Sequence, residues 1–192
     1  MKIVYIHGLN STHLSMGYIS KSLPDHEQIF INYNSQQPLD ISINNILNAL
    51  PKDEFSLIGH SLGGVISAVL ADELRDQIKH LVTISAPHGG SRAARILKWF
   101  PGSFSVLSDV TPESPIIQRV SKLKLELPTL SIISTGGHLP TSPEKNDSIV
   151  AVSSQKALRF GKKIEINANH FEILQDDRTV RCIKRFIFPE IK

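Results

Sequence analysis

Cysteine is nearly absent: Cys182 is the only one in 192 residues. An internal disulfide is therefore excluded, and with it the stapled scaffold of a small oxidised domain. Set among Val180, Ile183 and Phe186, Cys182 reads as a small core hydrophobe. No apolar run approaches the length of a membrane span. The opening Met1 to Ile6 starts like a signal sequence but is cut short at His7-Gly8, so a first strand is the better reading and a cytoplasmic protein is expected. Repeats and low-complexity tracts are lacking, as is any cluster of His, Cys and carboxylates at ligand spacing, so neither a metal nor a cofactor is expected. Aromatic residues make up only 6%. They are scarce where basic residues gather, which argues against a nucleic-acid surface.

What remains is an ordinary globular composition, enough for one domain over residues 1–192 with a sizeable core. The formal net charge is +3, and the excess belongs to the C-terminal half. Lys156, Arg159, Lys162, Lys163, Arg178, Arg181, Lys184 and Arg185 supply most of it. A solvated face is the plain reading of such a distribution; contact with an anionic membrane or phospholipid is the sharper one.

The most informative stretch is Phe55 to Gly64. Its apolar start reads as a strand, and Leu62, Val65, Ile66, Val69 and Leu70 follow at helical spacing. Between them stands Gly59-His60-Ser61-Leu62-Gly63, the G-x-S-x-G pattern of a nucleophile elbow. Such a turn holds the serine in a strained backbone conformation, its hydroxyl clear of the sheet. Glycines two before and two after allow the chain segments to approach. A phosphate-binding Walker loop is excluded because no lysine lies between Lys52 and Lys79.

Around this elbow, strands are expected at 2–6, 28–33, 80–85, 129–134 and 162–166. Helices are expected at 15–23, from Pro38 to Leu50 with Asp40 as its cap, near 148–158, and after Asp176 or Asp177. Residues 87–127 break this rhythm as a helical insert after the fourth strand, with amphipathic pieces at 91–100 and 115–123. Alternation of strands and helices implies an α/β fold, a mostly parallel sheet covered on both faces. Sites in such sheets lie beyond the carboxyl ends of the strands, which gathers His7, Ser61, Ser85, Gly136 and the segments around Asp147 and His170 on one rim.

A serine hydroxyl needs a base, and the base an orienting carboxylate. In this type of fold the order is Ser, acid, His. Of the histidines after Ser61, His80 is expected to precede its strand on the wrong rim. His88 sits beside two glycines and suits bracing of a turn; His138 comes before most candidate acids. His170, between the last strand and last helix, is where a mobile, exposed base belongs. Asp147 is the expected acid, with Glu144 as runner-up and Asp109 and Glu113 less well placed; capping of the helix that follows is the other reading of Asp147. Developing negative charge on a carbonyl oxygen requires donors. The backbone N–H of Leu62 is one, and that of Leu9, after Gly8, is the second, with His7 propping the loop.

His7-Gly8-Leu9, Gly59 to Gly64, Ser85-Ala86-Pro87-His88-Gly89-Gly90-Ser91, Asn146 to Val150 and Asn169-His170-Phe171 together resemble the motif series of α/β-hydrolase lipases and esterases. More narrowly, the chain is similar to small bacterial lipases with a minimal six-stranded core and to the catalytic core of the GPI inositol-deacylase family. The resemblance spans nearly the whole chain. It implies Ser61 as nucleophile, Asp147 as acid, His170 as base, Leu9 and Leu62 as oxyanion donors, and hydrolysis of small-molecule or lipid carboxylic esters through an acyl-enzyme. A thioesterase or acyltransferase would use the same residues, and a hydrolase-like binding module without turnover is the rival from another class. Trp99, Phe100, Phe104 and Leu107 in the insert are expected to line an acyl pocket, or else to pack as the insert's own core. The insert is longer than in the minimal lipases, so their acyl-chain preference does not carry over.

Overall fold

A computed structural model describes residues 1–91, 94, 105–139 and 143–189. Six strands form one sheet: β1 (Lys2–Ile6), β2 (Glu27–Ile31), β3 (Phe55–His60), β4 (Ile78–Ile84), β5 (Thr129–Ser134) and β6 (Lys162–Ile166). Their order is β2-β1-β3-β4-β5-β6, and every neighbouring pair is parallel. The near-continuous apolar run of β3 follows from this position: flanked by β1 and β4 and covered on both faces, all six of its residues are buried. β6 lies at an edge, and its alternation of Lys, Ile and Glu leaves one face wet, as the sequence suggests.

Helices α1 (Gly17–Lys21), α2 (Leu39–Ala49), α3 (Leu62–Glu73), α4 (Val106–Asp109), α5 (Pro115–Lys122), α6 (Val152–Gln155) and α7 (Asp177–Ile187) complete the described regular structure, with 3₁₀ turns at His13–Met16 and Glu172–Gln175. Two apolar layers separate the helices by face. Ile43, Ile46, Val65, Ile66, Val69, Ile117 and Val120 pack with Val4, Leu57 and Leu81 on one side. On the other, Ile19, Ile173, Val180 and Ile183 pack with Tyr5, Ile58, Val82 and Ile132. α3 is buried along almost its whole length, so it needs no polar stripe, and only its C-terminal end carries Asp72, Glu73 and, just beyond, Arg75.

Several local expectations change. The first helix is a 3₁₀ turn followed by five α-helical residues. β2 ends at Ile31, and Tyr33 instead donates its hydroxyl to the His7 carbonyl at 2.8 Å. His80 lies inside β4 rather than before it, accepting or donating at 3.0 Å with Ser56 Oγ. The helix expected over 148–158 shrinks to α6, because Ser148 takes a left-handed conformation at φ 83° and the chain turns through Val150 first. Asp40 is not the cap of α2. Pro38 occupies that position and has no side-chain acceptor, so Asp109 Oδ2, arriving from the insert, accepts the Leu39 N–H at 2.8 Å. Asp176 caps α7 by accepting from Arg178 N–H at 2.7 Å. Most of the amphipathic piece expected at 91–100 lies outside the described residues.

The basic residues of the C-terminal half are spread over several places. Lys162 and Lys163 open β6, on the rim away from the strand C-termini. Lys156 and Lys145 both engage Glu165, and Arg178 pairs with Asp176. No helix among the described residues is long and apolar enough to cross a membrane.

Because Asp109 serves a helix end that nothing else caps, Asp109→Ala should lower stability by about 1 kcal/mol. Asp40→Ala, which removes only a first-turn charge, should cost less than half of that. Thermal or urea unfolding of the two variants checks the ranking.

Candidate active site

Ser61 lies between β3 and α3 with φ 52° and ψ −121°. A non-glycine residue in this region is strained, and its neighbours over-determine it. Its N–H donates to Ile84 O at 2.9 Å, while its carbonyl accepts from Gly64 N–H at 2.9 Å. The glycines explain why the turn fits. A Cβ on Gly59 would stand 2.3 Å from Ser67 Oγ and 2.4 Å from Gly63 O. One on Gly63 would meet the carbonyl oxygens of Ile6 at 2.2 Å and His7 at 2.5 Å. The missing side chains therefore let the start of α3 press against the end of β3 at Gly59 and the end of β1 at Gly63, which brings the Leu9 loop beside Ser61.

The rim assembles the rest. His170, in the loop after β6, places Nε2 3.0 Å from Ser61 Oγ and Nδ1 2.7 Å from Asp147 Oδ2. A carboxylate can only accept, so Nδ1 carries the proton and Nε2 offers its lone pair to the serine hydroxyl. The main chain repeats the link, His170 N–H donating to Asp147 O at 3.0 Å. His170 is only 3% exposed and Asp147 is fully enclosed, so the imidazole is a buried group rather than the mobile, exposed one expected. Phe171, next in sequence, is exposed and meets the His170 ring edge-on.

Asp147 also performs the local role that its sequence position suggests. Oδ1 accepts the N–H groups of Ile149 at 3.0 Å and Val150 at 2.7 Å, closing the turn ahead of α6. Oδ2 is left for His170, and accepts further from Ser134 Oγ at 2.5 Å and Gln155 Nε2 at 3.2 Å. Burial alone would raise this carboxyl; donation from His170, followed by Ser134 and Val150, outweighs it and holds Asp147 below the ordinary carboxylate value. Neither Ser134 nor Gln155 is signalled by any motif, since a serine ending a strand and a glutamine in a short helix are commonplace. Glu144, Asp109 and Glu113 are not hydrogen-bonded to His170; Asp109 is spent on α2.

The remaining histidines are structural neighbours. His7 is buried, stacks on Tyr33 with ring centroids 4.5 Å apart, and lies 2.9 Å from the Gly8 carbonyl through Nδ1. His88 is buried against Gln155 O at 3.2 Å, and His138 stands exposed in the loop after β5. His60, preceding Ser61, was not singled out by sequence. Its Nε2 lies 3.0 Å from the carbonyl of His170, and Nε2–H must be the donor there. Burial, then the nearby His170, pushes His60 down to about 3, and burial pushes His88 down to about 4.

Ser61 opens on a cavity of about 260 Å³. Leu9, Leu62, Val106, Leu107, Val110 and Ile149 are among its lining residues, and no charged side chain is among the described ones. Leu107 thus faces the cavity; Trp99, Phe100 and Phe104 lie outside the described residues. Leu62 is the first residue of α3, where a backbone N–H has no partner within the helix, and Leu9 borders the same space.

The sequence profile of the alpha/beta hydrolase fold family matches residues 35–131, half of the chain. This chain belongs to the α/β-hydrolase fold family. It is similar in structure to the product of gene lin2722 from Listeria innocua, at TM-score 0.66 and 15% identity over 100% of this chain and 95% of that one. It is similar also to the mature lipase BlEst2 of Bacillus licheniformis, at TM-score 0.66 and 14% identity over 97% and 91% of the two chains. A carboxyl esterase of metagenomic origin, MGS0156, matches at TM-score 0.66 and 14% identity, covering 88% of this chain and 64% of that one. Identities this low carry the fold, and the narrower resemblance to GPI inositol-deacylases gains no support from them. No curated protein sequence matches the chain.

His60 and His88 give the fold a pH dependence. In the unfolded chain both take up protons below about 6.5, whereas in the fold they resist until about 3 and about 4. Acid therefore favours the unfolded chain progressively through that window. Thermal stability should fall as pH drops from 6.5 toward 4, and more shallowly in His60→Asn, whose amide cannot titrate; melting curves across that range measure both slopes.

Proposed function

We propose that this protein is a serine hydrolase that cleaves carboxylic esters through an acyl-enzyme on Ser61. The observation that supports this best is the unbroken chain Ser61–His170–Asp147, ending on a cavity whose described lining is mostly apolar and carries no charged side chain. In the first step Ser61 Oγ attacks the ester carbonyl while its proton passes to His170 Nε2. The carbonyl π-electrons move onto oxygen, and the N–H groups of Leu9 and Leu62 receive that oxyanion. Asp147 stays ionised and stabilises the imidazolium; it takes no proton itself. Collapse of the tetrahedral species expels the alcohol, which leaves with the proton from His170. Water then repeats the sequence on the acyl-enzyme and restores Ser61. The cavity suits an uncharged acyl group, and Leu107, Val106 and Val110 tie its selectivity to the insert.

A fluorophosphonate probe should label the wild-type protein at Ser61, and Ser61→Ala should abolish both labelling and turnover. Ser61→Ala and His170→Ala should each lower kcat by roughly three orders of magnitude or more. Absence of labelling in wild type would support instead a hydrolase-like binding module. A panel of esters of graded acyl length, with matched thioesters and amides, separates esterase from thioesterase and amidase. Within that panel Leu107→Trp should shift preference toward shorter acyl groups by lowering kcat/KM for the longer ones roughly tenfold or more.

A further inference from the structure

Asp147 is held by more donors than the motif series accounts for, and two of the groups behind it are hydroxyls with no other task. Ser134 ends β5 and is completely enclosed. Its backbone needs are met by the amide of Gln155: Ser134 N–H donates to Oε1 at 2.9 Å and its carbonyl accepts from Nε2 at 3.0 Å. The hydroxyl is thus free to act on its own account. It carries one proton, and three acceptors lie near, Asp147 Oδ2 at 2.5 Å, Ser85 Oγ at 2.6 Å and Gln155 Oε1 at 3.3 Å. The shortest, charge-assisted bond takes it.

That assignment fixes the next one. Ser85 Oγ lies 2.6 Å from Ser134 Oγ, where either atom could donate in principle. With the Ser134 proton committed to Asp147, Ser85 must be the donor. The hydroxyls then run in one direction, Ser85 to Ser134 to Asp147 Oδ2, and such a chain is polarised cooperatively toward the carboxylate. Ser85 is itself fully buried at φ 52°, a backbone conformation that non-glycine residues rarely adopt and that must be held by its surroundings. It follows β4 directly as Ser61 follows β3, and its own N–H donates to Ile132 O at 2.9 Å.

We propose that Ser85 and Ser134 are positioning residues that form a one-way hydroxyl relay onto Asp147, fixing the rotation of its carboxylate so that Oδ2 faces His170. This rests on the reading of Ser61–His170–Asp147 as a catalytic triad. Ile149 and Val150 anchor Oδ1, and the relay, with the longer bond from Gln155 Nε2 beside it, supplies the matching constraint on Oδ2. The titratable groups facing Asp147 are His170, in direct contact, and the more distant His60, both on elements already described. Without the relay the carboxylate keeps its local turn but loses a donor on the oxygen that the imidazole uses.

A double-mutant cycle on the full chain tests this. Ser134→Ala should lower kcat roughly tenfold at unchanged KM, and Ser85→Ala should produce a smaller fall of the same kind. Because Ser85 acts only through Ser134, the double variant should turn over no more slowly than Ser134→Ala, within about twofold. Ser134→Thr, which retains the hydroxyl, should recover most of the turnover. The far-downfield proton resonance of the His170–Asp147 bond should shift or broaden in Ser134→Ala and in Ser85→Ala, a readout that needs no substrate. Wild-type kcat in Ser134→Ala, or a full Ser85→Ala effect in the Ser134→Ala background, overturns the relay. Should Ser134→Ala fail to fold by its melting curve, an unmoved resonance in folded Ser85→Ala overturns it equally. Inertness of the wild type toward every ester and toward fluorophosphonate would instead overturn the esterase reading, leaving the resonance to decide the relay alone.

Discussion

The close approach of α3 to β1 is the constraint on which the site depends. Only hydrogen stands at Gly63 where a methyl group would overlap the main-chain oxygens of Ile6 and His7. That contact sets the angle at which the chain leaves β3, forces Ser61 into its left-handed conformation, and puts the first free N–H groups of α3 opposite the loop after β1. Loss of the contact would separate the hydroxyl from the donors around it even if every side chain of the site were retained. The strain at Ser61 persists because hydrogen bonds to Ile84 and Gly64 hold the residue from both sides.

Behind that elbow the fold solves an electrostatic problem. An ionised carboxylate at zero exposure is costly unless its lone pairs are filled. Here backbone and side chains from β5, the turn after it, α6 and the His170 loop converge on Asp147. His60 and His88 remain neutral in the same dry region, so the negative charge of Asp147 acts on His170 with little competition from neighbouring cations.

The sheet and its rim were legible in the sequence because both rest on strong local signals. The apolar runs of β1, β3 and β5, the glycine spacing around Ser61, and strand-helix alternation all dictate backbone path before tertiary contacts intervene. Asp147 and His170 could be selected because each follows a strand near the chain's end. Less legible were features set by partners remote in sequence. Asp40 has the composition of a cap, yet Asp109 reaches the Leu39 N–H from 70 residues away. His170 reads as a loop residue and therefore exposed, yet His60 and the turn at Asp147 enclose it. Ser134 and Gln155 carry no pattern at all, since their importance arises only when β5 and α6 meet the acid. The cavity wall was half legible: Leu107 could be picked from its apolar segment, but which side of an insert faces inward is settled by packing.

Strand order has a consequence for durability. The hydroxyl emerges from the interior of the sheet, on β3, whereas the imidazole hangs from the loop after β6, an outermost strand paired on one side only. Outermost strands fray first, and Lys162, Lys163 and Glu165 give this one a hydrated face. Loosening there would carry the imidazole off while the Ser61 hydroxyl and its surroundings stayed in place. Under heat or denaturant the site is thus built to come apart ahead of the collapse of the core, as an early and local event.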